Sequence, residues 1–340
     1  MINPPAAPKL RIGLIGYGSI ARTHHQVLDD RDDVKVVAIA TRSAVALPGA
    51  APELHTDHRA MLERDDIDLV VVCTPSGQHC TQALDGVRAG KHVVTEKPLT
   101  LDIDAGQEVV NEAQGAGLLL SVISQRRFEP VNRQIKRLVD SGRLGRAVLG
   151  EVLVRWYREQ AYYDAADWRG TTSADGGVLM NQAIHAIDLL RWFMGEVAHV
   201  QGTVTTLTHT IEAADTASAA LRFHSGALGA ITATTSAKPG APAELNLFFD
   251  RGFVSLHDDR VARWEFEIPR PTGEGTTGSG AGDPTGITSL GHRRQWEDIM
   301  QSLRDGTEPG VTGQDALRSA ALVLAIHESS RTGAAVPLTG

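Results

Sequence analysis

Cysteine is almost missing from this chain: its 340 residues hold two, Cys73 and Cys80. So few thiols exclude a disulfide scaffold and point to a reducing compartment. Their spacing is not that of a zinc site, and no metal is expected; small buried apolar roles suit both. Long apolar runs are lacking as well. None approaches the roughly 20 residues needed to cross a bilayer, so no membrane partner is expected. The opening Met1-Ile2-Asn3-Pro4-Pro5 has neither the charged nor the apolar region of a signal peptide, and a cytoplasmic protein is expected. A basic excess is absent: 33 Lys and Arg stand against 41 Asp and Glu, for a net charge of −8. Nucleic acid is held by a basic surface, so it is not an expected partner. There is no internal repeat.

What is present begins with enough apolar residues, 42%, for a sizeable core, in a length that suits two domains. Residues 10–15 read as a strand, and Gly16-Tyr17-Gly18-Ser19-Ile20-Ala21 follows at once and opens a helix. This is G-x-G-x-x-A between a strand and a helix. Gly16 permits a tight turn, Gly18 lets a pyrophosphate approach the backbone, and Ala21 lets the helix sit close on the sheet. In that context the motif predicts a dinucleotide-binding fold. Residues 34–40 read as the second strand. At its end, about 20 residues past the glycines, NAD-binding folds usually carry an acidic residue for the ribose 2′-hydroxyl. Thr41-Arg42-Ser43 stands there instead. An arginine with two hydroxyls suits a 2′-phosphate, which favours NADP over NAD. The competing reading stacks Arg42 on adenine and relaxes the choice. The Pro- and Ala-rich residues 44–55 leave room for only a short helix.

Residues 68–73 form the next buried strand, with Thr74, Pro75 and His79 at its carboxyl end. Open α/β sheets bind ligands on that edge. His79 either touches the ribose or caps its helix; the sequence leaves both open. The apolar run Val93-Val94 then ends in Thr95-Glu96-Lys97-Pro98. A lysine here lies on the ligand edge, and Pro98 keeps it out of the helical region. The plainer alternative is a solvated lysine paired with Glu96. Alternating strands and helices over residues 1–125 predict a doubly wound parallel sheet.

Residues 126–340 change period. Strands are expected at 147–156, 199–208, 216–223, 228–235, 244–249, 253–256 and 260–268. Several alternate apolar and polar residues, which argues for a large, mostly antiparallel sheet in an α+β domain. Within it, Gly176-Gly177 opens a helix expected to run unbroken to Met194, ended by Gly195. Leu179, Ala183, Ile187, Leu190 and Met194 make its core stripe. Asn181, His185 and Asp188 fall at i, i+4 and i+7 on another face. They read either as a structural histidine with satisfied neighbours or as a histidine base that its neighbours orient. Residues 269–288, rich in Gly, Thr and Pro, are expected to be a lid or disordered. Helices over 289–303 and 313–332 close the chain.

Together these residues resemble the glucose–fructose oxidoreductase / inositol dehydrogenase / MocA family nearly end to end. The likeness rests on Gly16 to Ala21, Thr74-Pro75-Ser76 with His79, Glu96-Lys97-Pro98, Gly176-Gly177 with His185 and Asp188, and Gly291-His292 in the tail. It implies a Rossmann domain plus an open-faced sheet that mediates homodimers or homotetramers. It also implies hydride transfer at a secondary alcohol of a sugar, sugar derivative or cyclitol. Lys97 and His185 match the family's catalytic lysine and histidine, while Asn181 replaces a frequent aspartate. A branch that oxidises the 3-hydroxyl of a UDP-linked N-acetylglucuronic acid shares that asparagine, with Tyr162-Tyr163-Asp164, Trp168-Arg169-Gly170-Thr171 and Asp175-Gly176-Gly177. Thr41 departs from the acidic residue usual in that branch.

The expected nucleotide contacts are thus Gly16, Gly18, Ser19, Ile20, Thr41, Arg42, Ser43, Thr74, Pro75, His79, Glu96 and Lys97. The expected substrate contacts are Lys97, Arg126, Tyr163, Trp168, Arg169, Asn181 and His185. Catalysis is expected from Lys97, His185 and Asn181. Two competing functions keep the fold: a glycosidase that retains NAD and works by transient oxidation and elimination, and a nucleotide-binding regulator without turnover.

Overall fold

The computed structural model describes residues 9–42, 52–273 and 289–338. The chain forms two compact units, Met1–Ile123 with Trp296–Gln314, and Ser124–Gln295 with Asp315–Gly340.

The first unit runs β1 (Leu10–Ile15), α1 (Ser19–Asp29), β2 (Val34–Ala40), β3 (Glu53–His55), α2 (His58–Leu62), β4 (Leu69–Val72), α3 (His79–Arg88), β5 (His92–Thr95), α4 (Ile103–Gly115) and β6 (Leu120–Val122). Among the described residues its sheet has six strands in the order β3-β2-β1-β4-β5-β6, all neighbours parallel. The chain works outward in both directions from β1. The switch between β1 and β4 therefore opens a crevice at the strands' carboxyl ends. β4 is buried along its whole length, as a strand covered on both faces should be. On α1, Ala21, His24, Val27 and Leu28 face inward. The core around Ile12, Leu14, Val71 and Val94 is completed by Trp296, Ile299 and Met300 from the far end of the chain. β3 carries no apolar alternation, so no strand is expected there from sequence; it gains its place only by pairing with β2.

The second unit runs α5 (Pro130–Asp140), β7 (Ala147–Arg155), α6 (Gln160–Asp164), α7 (Ile184–Met194), β8 (Val197–Thr205), β9 (Thr216–Phe223), β10 (Leu228–Thr234), β11 (Glu244–Phe249), β12 (Gly252–His257) and β13 (Arg260–Glu265). The helices α8 (Leu290–Asp305) and α9 (Gly313–Thr332) and the short β14 (Val336–Pro337) end the chain. Among the described residues the sheet has eight strands in the order β13-β12-β11-β7-β10-β9-β8-β14. Only β7 and β10 run parallel; the other neighbours are antiparallel. α7 and α9 press on it where the strands lack side chains. A Cβ on Gly150 would lie 2.6 Å from Leu190, and one on Gly202 would lie 2.9 Å from Ile326. The opposite face is open: in β9 Ala217, Ala219, Leu221 and Phe223 are buried while Ser218, Ala220 and Arg222 are exposed.

One expected element changes form. The helix predicted from 178 to 194 is not continuous: Val178–Ala183 is a π turn, and the α-helix starts at Ile184. Gly176 and Gly177 take φ of +75° and +73°, and a Cβ on Gly177 would stand 2.7 Å from the Ala214 carbonyl oxygen. A π turn holds more residues than an α turn, so the phase of the expected polar row is broken at its start. Of the expected lid, residues 274–288 lie outside the described residues. No described helix is long and apolar enough to cross a membrane.

Candidate active site

In the first unit the crevice edge is built by the ends of β1, β2, β4 and β5. After β1 the chain turns at Gly16, whose φ is +86° and whose N–H donates to the Ala40 carbonyl at 2.8 Å. A Cβ there would meet the Cys73 carbonyl oxygen at 2.8 Å, so the turn demands glycine. Gly18 precedes α1 with no side-chain cap, and a Cβ on it would have nothing within 4 Å. Ser19 is exposed and Ile20 half-buried. The N–H groups of the first helical turn thus open onto unfilled space, which is how a helix start receives an anion. At the end of β2 Thr41 is half-buried, with its N–H on the His55 carbonyl at 2.8 Å, and Arg42 is exposed. Ser43 lies outside the described residues.

Past β4, Thr74 and Pro75 are half-buried, and the Thr74 hydroxyl donates to Gln82 at 2.5 Å. His79 does not cap its helix, which has no side-chain cap. It is buried, with Nδ1 2.7 Å from the Pro98 carbonyl and Nε2 2.8 Å from the Thr74 carbonyl. Burial lowers its pKa against the pull of those two acceptors. His79 therefore ties the loop after β4 to the segment after β5.

Glu96 is buried. The Trp296 indole N–H donates to His24 Nδ1 at 2.9 Å. An indole only donates, so His24 carries its proton on Nε2, which lies 2.9 Å from Glu96 Oε1. Glu96 Oε2 in turn accepts the Lys97 backbone N–H at 3.2 Å. The Lys97–Pro98 peptide is cis. Within residues 93–100 Lys97 is the residue that is not buried.

In the second unit, within residues 178–191, the residues that are not buried are Asn181 and His185. Asn181 donates its side-chain N–H to Asp175. Asp188 does not share their surroundings. It is gripped by Arg127, Nε to Oδ2 at 2.7 Å, and accepts the Ser319 hydroxyl at 2.8 Å. Burial works against the Arg127 charge, but Asp188 and Asp315 outweigh it and hold the guanidinium's pKa above its ordinary value. Asp188 is a structural anchor of α7.

Trp168 and Arg169 are half-buried on one loop. The Arg169 guanidinium lies 4.3 Å from the Tyr162 ring centre and donates to the Tyr162 carbonyl at 2.8 Å. Two expected pocket residues are packed away instead. Tyr163 is buried, its hydroxyl 2.8 Å from that of Thr235. Arg126 is buried and paired with Asp259 at 3.3 Å and Asp258 at 3.6 Å. Both carry a polar group that finds a partner inside the unit.

Residues 10–124 match the oxidoreductase family with an NAD-binding Rossmann fold, and residues 132–255 match the GFO/IDH/MocA C-terminal domain. The WlbA dehydrogenase from Bordetella pertussis, solved with NADH and UDP-GlcNAcA, is 34% identical and superposes with a TM-score of 0.87 over 98% of this chain and 99% of its own. The chain belongs to the GFO/IDH/MocA oxidoreductase family. Inositol 2-dehydrogenase 2 from Saccharopolyspora erythraea is 29% identical over 97% of this chain and 95% of its own length. The NADP(+)-linked scyllo-inositol 2-dehydrogenase IolW from Bacillus subtilis is 27% identical over 95% and 94%.

A GFO/IDH/MocA enzyme implies a nicotinamide dinucleotide, and the first unit fits one. The open space over Gly18 and the uncapped start of α1 form a cradle that a Cβ would fill. Sequence reasoning missed three residues that shape this GFO/IDH/MocA site. His24 is a polar residue on the buried face of α1, a signal visible in the pattern. Trp296 left none, since its partner is far away in sequence. Asp175 sat inside a quoted motif without a role.

Proposed function

We propose that the protein transfers a hydride between NADP or NAD and a secondary hydroxyl, or the matching keto group, of a sugar, sugar derivative or cyclitol, at C3 where the substrate is a pyranose. The observation that carries this is a pattern of exposure. Lys97 in one unit, and Asn181 with His185 in the other, are half-buried inside stretches that are otherwise buried. Burying a polar group costs free energy, and so does leaving a cleft open, so side chains kept half-exposed on buried elements favour a ligand-facing role. The WlbA relative, solved with NADH and UDP-GlcNAcA, supports a sugar substrate.

A bound nicotinamide supplies the hydride acceptor. The chain handles the proton and the charge. His185 takes the hydroxyl proton as the C–H bond breaks, and the Lys97 ammonium steadies the developing alkoxide. The support behind Lys97, from Trp296 through His24 and Glu96, fixes the backbone from which that ammonium reaches. Arg42, exposed at the end of β2, meets a 2′-phosphate and favours NADP.

The test is a screen of sugars, nucleotide sugars and cyclitols against NAD and NADP separately, followed by the absorbance of the reduced nicotinamide. Lys97→Ala is expected to lower turnover by about 10²-fold or more while dinucleotide binding persists. Arg42→Ala is expected to raise KM for NADP and to leave KM for NAD unchanged. Absence of reduction with every substrate and both dinucleotides sinks the proposal.

A further inference from the structure

We infer that Tyr17 and His25 form a latch that holds the glycine-rich turn in the shape a pyrophosphate needs, so that both are positioning residues for the dinucleotide. This deepens the proposed function and rests on its placing a dinucleotide over Gly18. Within Gly16-Tyr17-Gly18 the tyrosine alone has a side chain, and a glycine on either side leaves the backbone many conformations. Two hydrogen bonds fix the ends of the turn. The Gly16 N–H donates to the Ala40 carbonyl at 2.8 Å, and the Arg22 N–H donates to the Gly18 carbonyl at 3.2 Å. No side chain caps α1. The middle of the turn is therefore held through Tyr17.

The Tyr17 hydroxyl lies 2.6 Å from Nδ1 of His25, on the second turn of α1. A phenol both donates and accepts, so the bond persists whichever ring nitrogen carries the proton. The two rings meet edge to face with their centres 5.7 Å apart. His25 is itself braced: its Nε2 lies 3.5 Å from Asp29, four residues on, and its side chain is only 13% exposed. Tyr17 packs half-buried against the core that Ala21 and Val27 enter. Burial raises the pKa of the phenol, so the hydroxyl keeps its proton at neutral pH. The Arg22 guanidinium lies 5.8 Å from the centre of the same ring. The ring is thus gripped by the helix whose first turn faces the phosphates. A turn fixed in advance loses less freedom when the ligand arrives, and so binds it more tightly.

Calorimetric titration of the full-length protein with NADH and with NADPH tests this. Tyr17→Phe keeps the ring and removes only the hydroxyl; His25→Leu removes its partner. Each is expected to raise Kd, for whichever dinucleotide the wild type binds, by about 3–10-fold, the worth of one hydrogen bond. The double variant Tyr17→Phe/His25→Leu is expected to bind no more than about 2-fold more weakly than either single variant, because the same bond is lost only once. Losses that multiply in the double variant overturn the pairing. Melting temperatures taken without dinucleotide give the second readout. A variant that melts lower yet binds as the wild type does has lost a bond that serves the fold alone, and this overturns the latch. Wild-type affinity in both single variants at an unchanged melting temperature overturns it too. A wild type that binds neither NADH nor NADPH removes the dinucleotide reading itself and the latch with it. The wild type thus reports failure of the function, and the variants report failure of the latch.

Discussion

Gly16 and Gly18 are one residue type with two separate physical reasons. At Gly16 the backbone itself forbids a side chain, by φ +86° and by the Cys73 carbonyl 2.8 Å away. At Gly18 the protein alone places nothing against a Cβ. Gly16→Ala is expected to destabilise the fold by about 1–3 kcal/mol, read as a lowered melting temperature. Gly18→Ala is expected to melt within about 0.5 kcal/mol of the wild type. Its calorimetric affinity for the dinucleotide is expected to fall by about tenfold or more, since a methyl group would stand where the phosphate approaches. Wild-type affinity in Gly18→Ala speaks against a phosphate lying over this turn. Both glycines were legible as a turn between a strand and a helix, because both neighbours lie a few residues away. His79 and Glu96 mark the limit of such local reading. Their true partners, Thr74 and Pro98 carbonyls for one and His24 for the other, follow from tertiary packing that no local pattern encodes.

Among the elements, α7 and the π turn before it depart furthest from their expected form. Helical spacing put Asn181, His185 and Asp188 in one row, and an extra-wide turn removed the premise. The turn is imposed by the glycine pair and by Ala214 pressing on it, neither of which shows in hydrophobic periodicity. Asp188 instead joins Arg127, Ser319 and, through Arg127, Asp315. Asp188→Ala leaves a buried guanidinium short of a carboxylate and is expected to cost about 3–5 kcal/mol of stability. At temperatures where the variant stays folded, its KM is expected to match the wild type. A variant with normal stability and a changed pH–rate profile would restore Asp188 to the catalytic row. Most strands of this unit were legible to within about a residue, since a sheet with one covered face prints its alternation in the sequence, while β8 and β13 end sooner than expected. The edge strands β3 and β14 were not, being short and held by their neighbours.

For the whole molecule, the division of the chain is not a single cut. Residues 296–314 return to the first unit, and Trp296, Ile299 and Met300 enter its core. A linear reading placed the boundary near residue 125 and gave everything after it to the second domain, because composition and period change there. Nothing in a helical stripe says which sheet it will cover. A fragment ending at Ile123 loses three large buried side chains, each worth about 2–5 kcal/mol, from a fold whose total stability is on the order of 5–15 kcal/mol. It is expected to lack a cooperative melt and to bind hydrophobic dye. A sharp melting transition in that fragment, with dinucleotide binding, contradicts the structural division.

This discontinuity bears on the order in which the protein comes into being. The ribosome releases the strands of the nucleotide edge first and the indole that backs Lys97 well after them. At about 5–20 residues per second, the interval between Ile123 and Trp296 is roughly 10–30 s. Throughout it the nascent Rossmann sheet has an uncovered flank, a natural substrate for holding chaperones, and the lysine cannot be locked in place until Trp296 has emerged.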